Sequence, residues 1–335
     1  MCGICGIYNF DHTLPVNPAE IHAMNQTLRH RGPDDEGSYV EGPVGLGIRR
    51  LSIIDVAGGR QPIANEDQTV WVVFNGEIYN YKDLRQSLIK KGHRFTTQSD
   101  TESILHLYEE VGLDFVNQLR GMFAIAIWDG GQNRLILARD RLGIKPLFYA
   151  RHNNTLLFAS EMKAILQSKD FPREMDDNAL AAYFTLSYIP APLTIFKKIQ
   201  KVLPGHIMTI QDGDIADKQY WDVQFRPDRS RDESYFIEGV MDLLEQSVEM
   251  RLMSEVPLGA FLSGGIDSST IVALMSKANG SPVNTFTVGF GGDTGGYLDE
   301  RKYARHGGQP IFNSPPGKRS VAEPPRPHGK DRQII

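Results

Sequence analysis

The chain has 335 residues, 23% charged and 41% hydrophobic, with a formal net charge of -5. That is enough for two ordinary domains of globular composition, and the charge leaves no basic footprint for nucleic acid. With no apolar run long enough for a membrane span, no signal-peptide core and only two cysteines, too few for a disulfide framework or a complete zinc site, a soluble protein of a reducing cytoplasm is expected.

The first residues are Met1-Cys2-Gly3-Ile4-Cys5-Gly6. Loss of Met1 would leave Cys2 with a thiol titrating near ~8.5 and an α-amine near ~8 on one residue. That is a nucleophile beside its own base; a small structural cysteine near a chain end is the alternative. An apolar strand over residues 4–10 leads to a helix capped by Asn17, with Pro18 in its first turn and Ile21, Met24 and Leu28 on one face. Gly32-Pro33 stops it. Strands are predicted over 70–74, 122–128, 134–138 and 155–159, broken by turn residues such as Asp129-Gly130-Gly131. Helices over 81–91 and 101–111 end at Gly92 and Gly112. Residues 1–222 therefore read as an α+β unit of antiparallel sheets covered by helices.

Residues 223–232 include the charged stretch FRPDRSRD and read as a linker. A helix over 232–253 follows, with apolar positions at Phe236, Val240, Leu243, Leu244, Val248 and Leu252. A strand (256–262), a Gly-Ser loop, a helix (268–278) and a second strand (283–290) then form a βαβ unit, the start of a parallel α/β domain over 233–305. Residues 306–335 are rich in proline and glycine and cannot supply a core-facing element, so disorder is expected there.

Four features of the first unit can be joined to Cys2. Arg50 leads into a strand-like run, Leu51-Ser52-Ile53-Ile54-Asp55. Asn75-Gly76-Glu77 directly follows the strand over 70–74. Asp100 stands at a helix cap, and His30-Arg31-Gly32-Pro33-Asp34 is a charged, sharply broken turn. Taken singly, a surface ion pair, a hairpin turn and a plain N-cap account for Arg50, Asn75-Gly76 and Asp100. Together they have the parts for hydrolysing a side-chain amide. A thiolate attacks the carbon, and an Asn amide with a Gly N–H holds the oxyanion. An Arg fork takes an α-carboxylate, and a carboxylate takes an α-ammonium.

In the second unit, Leu262-Ser263-Gly264-Gly265-Ile266-Asp267-Ser268 lies between a strand and a helix, so its N–H groups form an anion site at a helix N-terminus. It lacks the GxxxxGK[ST] pattern and hence the phosphate-reaching lysine. A plain Gly-Ser turn is the alternative.

These motifs resemble the glutamine-hydrolysing asparagine synthetases. The matching pieces are MCGI at the start, RHRGPDD (29–35), RLSIID (50–55), NGEIYN (75–80), SDTE (99–102), GMFAIAIWD (121–129) and RDRLGIKPLFY (139–149). The resemblance implies a class II glutamine amidotransferase domain of the N-terminal-nucleophile type, an αββα sandwich, followed by an incomplete parallel α/β synthetase domain of the ATP-pyrophosphatase kind. Processed Cys2 would be the nucleophile, with Asn75 and Gly76 as oxyanion hole. Arg50, Glu77 and Asp100 would grip glutamine, Leu51, Ser52, Ile53 and Ile54 would line its pocket, and Cys5 would be a buried small residue. Ser263, Gly264, Gly265, Asp267 and Ser268 would bind ATP with its Mg2+, and Leu262 and Val288 would bracket the adenine.

The implied reaction hydrolyses glutamine, passes ammonia through the interior and attacks β-aspartyl-AMP, giving asparagine, AMP and pyrophosphate. The implied partners are glutamine, aspartate and ATP, with no resident metal or prosthetic group. Family members often form homodimers, and no dimer surface is legible here. The family's synthetase domain continues well beyond residue 305, so a truncated or frameshifted gene is the expectation, with glutaminase activity kept and amide synthesis lost or weakened. A different carboxylate acceptor, a glutaminase-only chain and a non-catalytic fragment are the other readings.

Overall fold

The computed structural model describes residues 1–289 and 300–306. Two compact units divide between Phe225 and Arg226. In chain order the first contains β1 (Gly3–Asn9), α1 (Pro18–Thr27), β2 (Asp35–Glu41), β3 (Val44–Arg50), β4 (Ile63–Ala64), β5 (Val70–Ile78), α2 (Tyr81–Lys90) and α3 (Asp100–Val111). A short helix α4 (Phe115–Gln118), strands β6 (Gly121–Asp129), β7 (Arg134–Arg139), β8 (Phe148–His152) and β9 (Thr155–Ala159), and helices α5 (Met162–Ile165) and α6 (Asp177–Leu186) follow. The unit closes with β10 (Gln200–Lys201), β11 (His206–Gln211) and β12 (Asp214–Gln219).

The strands form two antiparallel six-stranded sheets, ordered β10-β8-β9-β1-β3-β2 and β12-β11-β7-β6-β5-β4. Strand alternation decides what lies between them. Ile4 and Tyr8 of β1 join Leu46, Ile48, Val73, Ala124, Ala126, Leu135 and Leu137 in one core between the sheets, and Cys2 packs against it. Cys5 and Ile7, on the opposite face of β1, pack with Ile21, Met24 and Leu28 of the α1 segment and with Ala164 and Ile165 of α5. On the second sheet, α3 packs along β5 and α2. The result is helix, sheet, sheet, helix: the expected αββα sandwich.

Local signals set several boundaries. Asn17 caps α1 by accepting the Ala19 N–H at 3.0 Å, with Pro18 opening the helix. The helix ends at Thr27, ahead of Gly32-Pro33, so Leu28 caps it rather than extending it. Ser99, not Asp100, caps α3 through Thr101 N–H. β5 continues through Asn75-Gly76-Glu77, which excludes a hairpin turn there. The strand-like run expected after Arg50 is irregular backbone, and the strand precedes it instead.

The second unit contains α7 (Glu233–Arg251), capped by Asp232, then β13 (Gly259–Phe261), α8 (Ile266–Asn279), β14 (Asn284–Phe286) and a short α9 (Arg301–His306). β13 and β14 pair in parallel, as the βαβ pattern requires. Both are shorter than the patterns at 256–262 and 283–290. Val248, Ala260, Leu274 and Met275 make a small core, with Leu244 and Leu252 against it. Phe236, Val240 and Leu243, apolar positions of the same helix, are exposed. A helix of 19 residues with three-residue strands beside it can bury only part of its apolar surface. The expected disorder of the tail concerns residues lying outside the described ones beyond His306, as does position 290 of the second strand. Among the described residues, no helix is long and apolar enough to cross a membrane.

Candidate active site

A pocket of about 40 Å³ opens at the end of the space between the sheets. It is lined by Cys2, Arg50, Leu51, Ile53, Ile54, Asn75, Gly76, Glu77 and Asp100, so nine of the ten glutaminase-half positions singled out in the sequence converge on it. The tenth, Ser52, is not in the wall; its N–H is held by Asp34 Oδ2 at 3.0 Å, outside the pocket lining. Met1, Gln61, Phe74, Ser99, Thr101 and Lys145 complete the wall.

Cys2 is positioned by backbone on two sides. Its Sγ accepts the Leu51 N–H at 3.4 Å and faces the Leu51 carbonyl at 3.6 Å, while Arg31 Nε donates to the Cys2 carbonyl at 2.9 Å. Arg31 is itself anchored by Glu161 at 2.9 Å. Burial raises the Cys2 thiol above its ordinary range, with the Leu51 N–H and the charges of the N-terminus and Arg50 pulling the other way. With Met1 attached, the Cys2 nitrogen is a peptide amide and cannot take a proton. The Met1 amine donates to Arg31 O at 3.2 Å, and its thioether receives the Lys145 ammonium at 3.0 Å. Cys5 has no part in this pocket: it is fully buried on the α1 side, and desolvation raises its thiol to about 12.

β5 supplies donors with nothing to bind. Val73, Asn75 and Glu77 share one parity along the strand, and Val73 faces the core between the sheets, the side on which Cys2 lies. Asn75 is 1% exposed, and its Nδ2 has no hydrogen-bond partner among the described residues. The opposite parity sends backbone N–H groups to the strand's free edge. There Phe74 N–H meets Gln61 Oε1 at 2.8 Å and Ile78 N–H meets Asp100 Oδ2 at 2.9 Å. Gly76 lies between them, so its N–H points into the gap they leave. Only glycine fits: a Cβ would sit 2.1 Å from Met122 O and 2.7 Å from the Phe74 ring. An amide NH2 and a strand-edge N–H in one pocket wall with a thiol are the kind of donors that can hold a developing oxyanion.

Charge is arranged around these donors. Arg50 is buried, and its Nη2 donates to the carbonyls of Ile54 and Asp55 at 2.8 and 2.7 Å, curling the 51–55 segment over the pocket. Burial raises the Asp100 carboxyl to about 6, against the Ile78 N–H that favours its charged form. Lys145 is 4% exposed and makes no ion pair among the described residues; burial lowers its pKa, with Glu77 and Cys2 acting oppositely. Arg31 belongs to the charged turn joined to Cys2 from sequence, whereas Lys145 lies inside a quoted motif without being singled out; Gln61 has no sequence signal at all.

In the second unit, the loop after β13 is tied internally. Ser263 Oγ lies 3.0 Å from Ser268 Oγ and accepts the Gly265 N–H at 3.3 Å. Gly264 has φ +82°, and a Cβ there would be 2.3 Å from the Tyr303 carbonyl carbon. The N-cap of α8 is Gly265, which has no side chain to cap the first-turn N–H groups. Leu262 is buried at the end of β13, and Val288 and Asp267 are exposed.

Residues 1–221 match the model of the glutamine amidotransferase domain. The chain belongs to the glutamine amidotransferase family. Residues 239–307 match the asparagine synthase model. The chain is 44% identical to asparagine synthetase [glutamine-hydrolyzing] 1 of Bacillus subtilis over 294 residues, covering 87% of this chain and 46% of that protein. Asparagine synthetase [glutamine-hydrolyzing] 3 of the same organism is 39% identical over 298 residues, covering 87% and 48%. The amidotransferase chain thus spans about half the length of the curated relatives it matches.

Proposed function

We propose that the first unit hydrolyses glutamine at Cys2 after removal of Met1. The observation that carries this reading is the Asn75 Nδ2, without a hydrogen-bond partner among the described residues, in one pocket with Gly76 and the Cys2 thiol. The freed Cys2 amine accepts the thiol proton, and the sulfur attacks the side-chain amide carbon of glutamine. Charge that develops on the amide oxygen is taken up by Asn75 and Gly76, which need no reorganisation. Ammonia leaves with a proton returned by the amine, and water then hydrolyses the thioester to glutamate. Arg50 takes the α-carboxylate, while Glu77 and Asp100 take the α-ammonium. Removal of Met1 also clears part of the pocket, whose present volume holds only a few waters.

By similarity to the relatives, the ammonia is destined for an aspartate carboxyl activated by ATP, giving asparagine in the cytoplasm. ATP would lie on the open N-terminus of α8, held by Ser263, Gly264, Gly265 and Ser268 between Leu262 and Val288. The exposed Asp267 would meet its Mg2+. A glycine at the N-cap of α8, with no side chain to occupy the first turn, suits an anion of that kind.

The test is mass spectrometry of the N-terminus combined with a glutamate-release assay. Chains starting at Cys2 should release glutamate and Cys2→Ala chains should not. Hydrolysis by the alanine variant, or by chains that retain Met1, would sink the reading.

A further inference from the structure

Away from the pocket, Glu66, His93, His106 and Glu109 bring four ligand atoms within 4.8 Å of one another. They come from three segments: the turn after β4, the loop after α2, and the middle of α3. His106 Nδ1 lies 2.8 Å from Glu109 Oε2 and 3.9 Å from Glu66 Oε2, and His93 Nδ1 lies 3.6 Å from the same Glu109 oxygen. Ligands on a tetrahedral zinc ion sit about 2.0–2.2 Å from the metal and hence about 3.4 Å apart. The present spacings need only small side-chain shifts to reach that.

What separates this group from a chance gathering of charges is how its remaining atoms are held. Glu66 Oε1 accepts the Arg94 N–H at 3.0 Å, and Glu109 Oε1 accepts from Asn65 Nδ2 at 2.8 Å. His93 Nε2 lies 3.0 Å from Glu110 Oε1. His106 is 1% exposed, and its Nε2 has no hydrogen-bond partner among the described residues; Glu102 Oε1, 3.7 Å away, is the carboxylate it faces. A histidine that ligates through Nδ1 must carry its proton on Nε2, directed at such a carboxylate. Each residue thus offers one atom inward while its other polar atom is bonded or aimed at a carboxylate.

We propose that Glu66, His93, His106 and Glu109 bind one divalent transition-metal ion, with zinc the best match to two imidazoles and two carboxylates. Glu66 and Glu109 are partly exposed and give the ion a way in. Bound there, it would pin α3 to the turn after β4 and the loop after α2. Since α3 begins with Asp100 in the pocket wall, the ion would fix the helix that carries a pocket residue. The proposal stands whether or not the pocket hydrolyses glutamine.

The experiment uses the full chain stripped with chelator and titrated with ZnCl2, followed by calorimetry and metal analysis after desalting. One zinc per chain and a saturable rise in Tm are expected. His93→Gln and Glu109→Gln, both nearer the surface than His106, should keep the far-ultraviolet spectrum and lose the stoichiometric zinc. Cobalt in place of zinc should give visible bands without the charge-transfer band of a cysteine ligand. No retained zinc, unchanged retention in both variants, or a thiolate band from Cys2 would each overturn the proposal.

Discussion

Asp100 Oδ2 accepts the backbone N–H of Ile78 at 2.9 Å, so the first residue of α3 fastens the strand that carries Asn75, Gly76 and Glu77. One carboxylate therefore holds the strand of the proposed oxyanion donors while lining the pocket that would receive a substrate ammonium.

That double duty has a pH signature. Burial raises the Asp100 pKa from an ordinary value near ~3.9 to about 6, so the folded chain favours its neutral form. A raised folded pKa means stability is fullest below the unfolded pKa and is lost as pH rises through about 6. Asp100→Asn keeps an acceptor for Ile78 and removes the buried charge. Calorimetry should show the variant more stable at pH 8, by at most about 3 kcal/mol, with no gain at pH 3. Its KM for glutamine should rise because the ammonium loses its counter-charge. An equal gain at both pH values would show that the effect is not the titration of Asp100.

Asn75 offers the converse case, a side chain whose amide NH2 has no bond to lose. Asn75→Ala should lower kcat about 10²–10³-fold, the usual effect of removing one oxyanion donor, with KM little changed. Thermal unfolding should move only slightly. Steady-state glutaminase kinetics decide it: a rise in KM at constant kcat would mean that Asn75 binds the ground state instead.

Lys145 holds a buried ammonium against a thioether that leaves with Met1. Burial lowers its folded pKa, so carrying the charge costs stability at any pH below its unfolded value near ~10.4. Lys145→Met should therefore be at least as stable at pH 7.5. The same change should slow alkylation of Cys2 and move the acidic limb of the rate profile to higher pH, while Lys145→Arg restores part of the rate. An unchanged pH profile in the methionine variant would leave Lys145 with a packing role only. Cys5, fully buried, does not confuse the alkylation readout.

Much of this was legible because the signals are local. Asn17-Pro18 opens α1, and Gly92 and Gly112 mark the ends of α2 and α3, since such signals need only a few consecutive residues. Short apolar runs bounded by turn residues likewise marked β1 and β9. The quoted motifs pointed to Cys2, Arg50, Asn75, Gly76, Glu77 and Asp100, and these do share one pocket.

The rest depended on register and distance along the chain. The short patterns at 70–74 and 75–77 could not show that β5 runs straight through Gly76, because the Met122 backbone that demands glycine there lies on another strand. Ser52 drops out of the pocket wall because Asp34, on a different segment, takes its N–H. Lys145 and Gln61 reach the pocket, and Glu66, His93 and His106 reach one another, only once the sheets stack and α3 packs along β5. Sequence by itself determined the chemistry available at Cys2, since side-chain type and local capping are properties of neighbouring residues. The tertiary structure decided which donors remain unsatisfied, which charges are buried and which imidazoles meet, because those follow from contacts between segments far apart in the chain.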